Sequence, residues 1–166
     1  MRLYGITGWK NTGKTMLTER LVGEMVVRGL RVSTVKHAHH DTEIDHAGRD
    51  SYRHRTAGAG QVIVSSPVRW ALMTELRGAG EPSLDDLIAR LDPCDLVLVE
   101  GFKRSPHAKI ETYRAAAGRA LIAPDNPTIR ALASDVPLDL ALPQFHLDDV
   151  CAIADFILAE VGLRRG

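Results

Sequence analysis

The chain has 166 residues, 45% hydrophobic and 25% charged, with 21 lysines and arginines balanced by 21 aspartates and glutamates. This suits one globular domain with a real core, residues 1–166, and excludes disordered and fibrous classes. Zero formal net charge gives no global field to draw the chain onto nucleic acid or an anionic membrane, and no apolar run is long enough to span a bilayer.

Residues 3–7, LYGIT, form an apolar, β-prone run that leads into GWKNTGKT at 8–15. Beyond it Leu17, Leu21 and Met25 recur every four residues beside Val22 and Val26, which predicts a helix closed by Gly29. RVSTVKH (31–37) predicts a second strand, parallel to the first through a crossover. The histidine-rich stretch from 37 to 59 reads as an active-site loop, helical only around Arg49–Thr56. QVIVSS (61–66) and RWALMTEL (69–76) predict two adjacent strands joined by a turn at Pro67. SLDDLIARL (83–91) predicts a short helix with Ser83 as N-cap.

DLVLVEGF (95–102) is nearly continuous in apolar residues, as expected of a central strand covered on both faces. KIETYR (109–114) alternates and reads as an edge strand open to a second chain, and ALIAP (120–124) as a short buried strand. A brief helix from Asn126 or Thr128 through Ala133 and an amphipathic helix over 148–162 complete the chain. The predicted class is α/β, a mostly parallel sheet flanked by helices of the P-loop nucleotide-binding type. Two cysteines, Cys94 and Cys151, stand outside any redox or zinc spacing, and no export leader is visible, so a cytoplasmic location is expected.

The octapeptide at 8–15 matches GxxxxGK[ST], the phosphate-binding loop. The chemistry explains the spacing. Gly8 and Gly13 let the loop through Asn11 and Thr12 turn its amides inward, and the helix that follows adds its positive end. Lys14 is expected on the β- and γ-phosphates and Thr15 on Mg2+. VLVEG at 97–101 places Glu100 at the end of a buried strand, where open α/β sheets bind ligands, so Glu100 is the expected metal partner and, with Lys14, the expected catalytic group. Lys10 reads as either a phosphate contact or a solvated charge. Lys36 and His37 leave the second strand toward the same end and are expected to bind an anion. Asp50 and Arg53 share a helical face, and either Asp41 or Asp45 is placed to orient water near a γ-phosphate. The histidine spacings fit no zinc framework.

Taken together, GWKNTGKT, VKHAHHDTEIDHAGRDSYRHRTAGA, LVEGFK and KIETYR resemble the molybdopterin-guanine dinucleotide biosynthesis protein B family, MobB, across nearly the whole chain. The resemblance implies a P-loop fold that binds GTP and Mg2+, weak GTPase activity, a homodimer, and a role beside the guanylyltransferase MobA in molybdenum cofactor biosynthesis, with molybdopterin as a further ligand. It carries nucleotide and metal roles onto Gly13, Lys14, Thr15 and Glu100, and sets Lys103, Lys109 and Arg114 to face an anionic pterin or nucleotide. The NKxD base-reading element of G proteins is missing. Asp135, in ASD after the ALIAP run, stands in the corresponding order and is either a guanine acceptor or a plain turn aspartate. Two other readings share the loop: an ATP-dependent small-molecule kinase, and a nucleotide-gated carrier that barely hydrolyses.

Overall fold

A computed structural model describes residues 1–38 and 44–163. The chain divides into two compact units, one formed by Met1–His37 with the chain from Leu84 onward, the other by Ala38–Ser83.

The larger unit is built on a six-stranded sheet. Its strands are β1 (Arg2–Thr7), β2 (Val32–Lys36), β5 (Leu96–Glu100), β6 (Lys109–Tyr113), β7 (Ile129–Ser134) and β8 (Gln144–His146). They lie in the order β2-β5-β1-β6-β7-β8, every neighbouring pair parallel. The helices are α1 (Lys14–Val27), α3 (Leu84–Ile88) and α4 (Val150–Glu160).

Alternation along β5 explains the layering, since all five of its residues are buried. Leu96 and Leu98 join Tyr4, Ile6, Ile110 and the inward stripes of α1 (Leu17, Leu21, Met25) and α4 (Ile153, Ile157). Val97 and Val99 point the opposite way, toward Val35 and Leu84. Each such fully buried side chain contributes roughly 1.5–3 kcal/mol. α1 and α4 are also clamped at their margins by Arg28–Asp155 and Arg20–Asp148, each 2.6 Å.

The larger unit departs from three expectations. KIETYR is not an edge strand, because β6 pairs with β1 on one side and β7 on the other, and the edges are β2 and β8. ALIAP forms no strand: the buried Glu111 carboxylate accepts the amides of Ile122 (2.9 Å) and Ala123 (2.8 Å), taking the donors a ladder would need, and Ala123–Asp125 winds into a 3-10 turn. The helix expected up to Ala133 is instead β7, its alanines packed between β6 and β8. Sheet burial there overrides alanine's helical preference.

In the smaller unit, α2 (Asp50–Thr56) precedes the antiparallel pair β3 (Gln61–Ser65) and β4 (Trp70–Thr74). Val62 and Met73 sit opposite each other on the buried face. Arg55 ties the unit together by pairing with both Asp45 (2.5 Å) and Glu75 (2.7 Å).

Candidate functional site

β1 runs straight into the glycine loop, which runs straight into α1. Gly8 (φ 143°), Asn11 (φ 67°) and Gly13 (φ 97°) all take left-handed backbone angles, which fold the loop back on itself. Gly8 has no alternative, since a Cβ there would lie 2.6 Å from Thr112 O, Thr112 Oγ1 and Thr12 Oγ1. Thr12 is buried, with its hydroxyl donating to Trp9 O at 2.8 Å and touching Thr112 Oγ1 at 2.8 Å. Its side chain therefore braces the loop, and only its amide is left to meet a phosphate. Gly13 precedes α1 with no side-chain cap, so the first-turn amides of the helix keep their donors and its positive end faces the loop.

Lys14 Nζ reaches back across the loop to donate to Trp9 O at 2.7 Å. Burial lowers its pKa; Glu100 opposes that shift, and Lys103 and Lys36 reinforce it. Thr15 Oγ1 donates to Glu100 Oε1 at 2.8 Å, joining the helix start to the end of β5. Lys36 Nζ stands 3.4 Å from the same carboxylate oxygen and 3.2 Å from Thr15 Oγ1. His37 lies beside this strand end, its amide donating to Glu100 O at 2.9 Å and its ring tilted against Phe102 at 4.9 Å. Gly101 (φ 93°) and Phe102 (φ 45°) turn the chain sharply there, and a Cβ on Gly101 would sit 3.0 Å from His37 Cβ.

The basic residues that follow β5 part company. Lys103 Nζ lies 4.0 Å from the centroid of the Trp9 indole, a cation–π contact at the rim of the loop. Burial lowers its pKa, opposed by Glu111. Arg114 flanks the other side, its Nε 3.3 Å from where a Cβ on Gly13 would stand. Lys109 is turned into the fold. It is fully buried, and Nζ donates to Ser105 O (2.6 Å), His107 O (2.8 Å) and Thr128 Oγ1 (2.8 Å). An ammonium has three donors, and all of them are used inside the fold. Burial pulls its pKa down to about 8.

Asp135 Oδ1 accepts the Ala115 amide at 2.9 Å, and the residue lines a cleft of about 290 Å³ at the ends of β7 and β8 with Ser134, Gln144, Phe145 and His146. Asp50 and Arg53 do share a face, as an exposed pair 3.8 Å apart. Asp45 is held on both oxygens by Arg55, which keeps its carboxyl below the usual range. Its carboxylate is thus committed to an ion pair. His39, His40 and Asp41 lie outside the described residues. Lys10 is exposed.

Thr15 and Glu100 supply a hydroxyl and a carboxylate, hard oxygen donors 2.8 Å apart, which suits Mg2+, an ion that takes few protein ligands and keeps several waters. The loop amides, Lys14, Lys36, Lys103 and Arg114 supply donors and positive charge for an anionic tail. Against this geometry, the family profile described as molybdopterin guanine dinucleotide synthesis protein B, MobB, matches residues 3–135. The chain belongs to the MobB family.

Among its relatives, the molybdopterin-guanine dinucleotide biosynthesis adapter protein of Escherichia coli (strain K12) is 44% identical, over 99% of this chain and 95% of that one. The adapter protein of Haemophilus influenzae is 42% identical over 93% and 86%. The crystal structure of a MobB homologue from Bacillus stearothermophilus superposes with a TM-score of 0.71 at 30% identity, covering 99% of this chain and all of that one. The MobB match takes in the loop, Glu100, Lys103 and Asp135, and stops short of β8 and α4. Sequence reasoning missed the part played by Trp9, whose carbonyl holds Thr12 and Lys14 while its indole carries Lys103 and donates to Ala120 O at 2.8 Å. A tryptophan directly after the first glycine of GWKNTGKT was the available signal.

Proposed function

We propose that this MobB-family chain binds GTP with Mg2+ at the loop of residues 8–15 and hydrolyses it slowly. In this reading it is an accessory protein in molybdopterin guanine dinucleotide biosynthesis, acting in the cytoplasm beside the guanylyltransferase MobA with molybdopterin as a further ligand. One observation carries the nucleotide reading: the 2.8 Å bond between Thr15 at the start of α1 and Glu100 at the end of β5, with the ammonium groups of Lys14 and Lys36 around it. Bound Mg2+, held by Thr15 and Glu100, would supply charge neutralisation across the phosphates. Lys14 would leave Trp9 O for the terminal phosphates, Lys103 and Arg114 would close in from either rim, and the loop amides would hold the remaining oxygens. Asp135, at the mouth of its cleft, is the acceptor this reading gives to the guanine edge.

The adapter names of the relatives support the pathway role. For the homodimer the support is the outer face of the β3–β4 pair, where Ile63, Trp70 and Leu72 are 65%, 67% and 40% exposed. Sedimentation of the full chain tests that part.

The function itself is tested by supplying Mg2+ with GTP or ATP, with and without molybdopterin, and following both binding and phosphate release. Preference for GTP, with slow release that rises when molybdopterin or the guanylyltransferase is added, is the expected result. Phosphate transferred from ATP to a small metabolite would instead make the chain a kinase.

A further inference from the structure

We infer that Lys36 is a built-in cation that holds the metal site of this protein until a nucleotide arrives: its ammonium competes with the divalent ion for Glu100 and shifts to the triphosphate when the ion binds. The inference rests on the reading of Thr15 and Glu100 as the metal-holding pair, and it adds an order of events to that reading.

Three observations carry it. First, the ammonium lies on the same two atoms that a metal ion would need, 3.4 Å from Glu100 Oε1 and 3.2 Å from Thr15 Oγ1. Mg2+ binds such oxygens at roughly 2.1 Å, so ion and ammonium cannot share the place. Second, the contact is imposed by strand register, because Lys36 on β2 is the direct parallel partner of Glu100 on β5. Third, the two partners differ in freedom. The Glu100 side chain is 9% exposed and fixed at the end of a fully buried strand, whereas that of Lys36 is 55% exposed on an edge strand. A four-carbon stem in that position can swing its charge without moving the backbone.

The consequence is a site that discriminates against bare metal. Without nucleotide, Lys36 neutralises Glu100 and repels a second cation. A triphosphate brings enough negative charge to draw off the ammonium and admit the ion, so metal and nucleotide enter together. Lys14 does not play this part, since its ammonium donates to Trp9 O at 2.7 Å and not to Glu100 or Thr15.

The test is a Mn2+ titration without nucleotide, free Mn2+ being read by electron paramagnetic resonance, on the wild-type chain, Lys36→Met and Lys36→Arg. Removing the neighbouring charge is expected to tighten Mn2+ binding about tenfold in Lys36→Met, while Lys36→Arg stays at the wild-type value. Adding Glu100→Gln to Lys36→Met should erase the gain, and circular dichroism confirms that each variant is folded. Equal or weaker Mn2+ binding by Lys36→Met overturns the inference. So does an equal gain in Lys36→Arg, or a gain that survives Glu100→Gln. Failure of the GTP reading is separate: it would show as a wild-type chain that takes up no GTP with Mg2+, whatever the Mn2+ titrations give.

Discussion

Lys109 separates a ligand-facing lysine from a structural one, and Lys109→Met tests which it is. Methionine keeps the length and approximate volume of the side chain but donates nothing. Three acceptors, Ser105 O, His107 O and Thr128 Oγ1, then lose the donor now 2.6–2.8 Å away. An unsatisfied buried acceptor costs about 1–3 kcal/mol. Relief from burying a charge works the other way, as the lowered pKa of about 8 records. The net loss expected is about 2–4 kcal/mol, or roughly 5–15 °C in melting temperature for a chain of this size.

The pH dependence has a definite sign. The folded chain gives up the Lys109 proton at about 8, the unfolded chain near the usual 10.5. Between those values the unfolded state binds more protons, so this group makes stability rise with pH. Lys109→Met lacks that rise, and its deficit against wild type should widen from about pH 8 to about 10.5. Thermal and urea unfolding at several pH values give the stability, and calorimetric titration with GTP and Mg2+ gives the affinity. A variant of unchanged stability with weakened GTP binding would refute the structural assignment and return Lys109 to the ligand.

Lys14→Ala should lower triphosphate affinity by about a hundredfold or more while leaving the melting temperature close to wild type, because its one loop contact is with Trp9 O; calorimetry showing unchanged affinity would remove Lys14 from the site. Thr15→Ala should raise the Mg2+ concentration needed for half-maximal GTP binding by about tenfold, and an unaltered Mg2+ titration would count against its role as a ligand. Gly8→Ala forces a Cβ to within 2.6 Å of a backbone carbonyl and two hydroxyls. The loop must shift, so about 2–3 kcal/mol of stability and most of the triphosphate affinity should go together in unfolding and binding measurements.

Local chemistry made much of the molecule legible. The four-residue recurrence of Leu17, Leu21 and Met25 belongs to α1, the unbroken apolar run before Glu100 belongs to a doubly covered β5, and Pro67 does separate β3 from β4. The glycine loop between β1 and α1 was readable because its pattern sets particular residues at fixed spacing within a few residues of each other. Where the reading failed, the deciding partner was distant in sequence. ALIAP lost its strand to a carboxylate at Glu111, and the alanines of 129–134 became β7 because sheet neighbours were waiting on both sides.

Sequence alone thus determined a glycine loop between a strand and a helix, and a buried strand that ends in Glu100. Only the tertiary structure decided which cations stand there. Lys109 and Lys103 are six residues apart, yet one ammonium is enclosed by three acceptors and the other rests on an indole at the loop. Lys36 meets Glu100 because β2 pairs with β5 in one register. A lysine's charge is written in its residue type, but what that charge meets depends on strand order, and strand order is settled by the packing of the whole sheet.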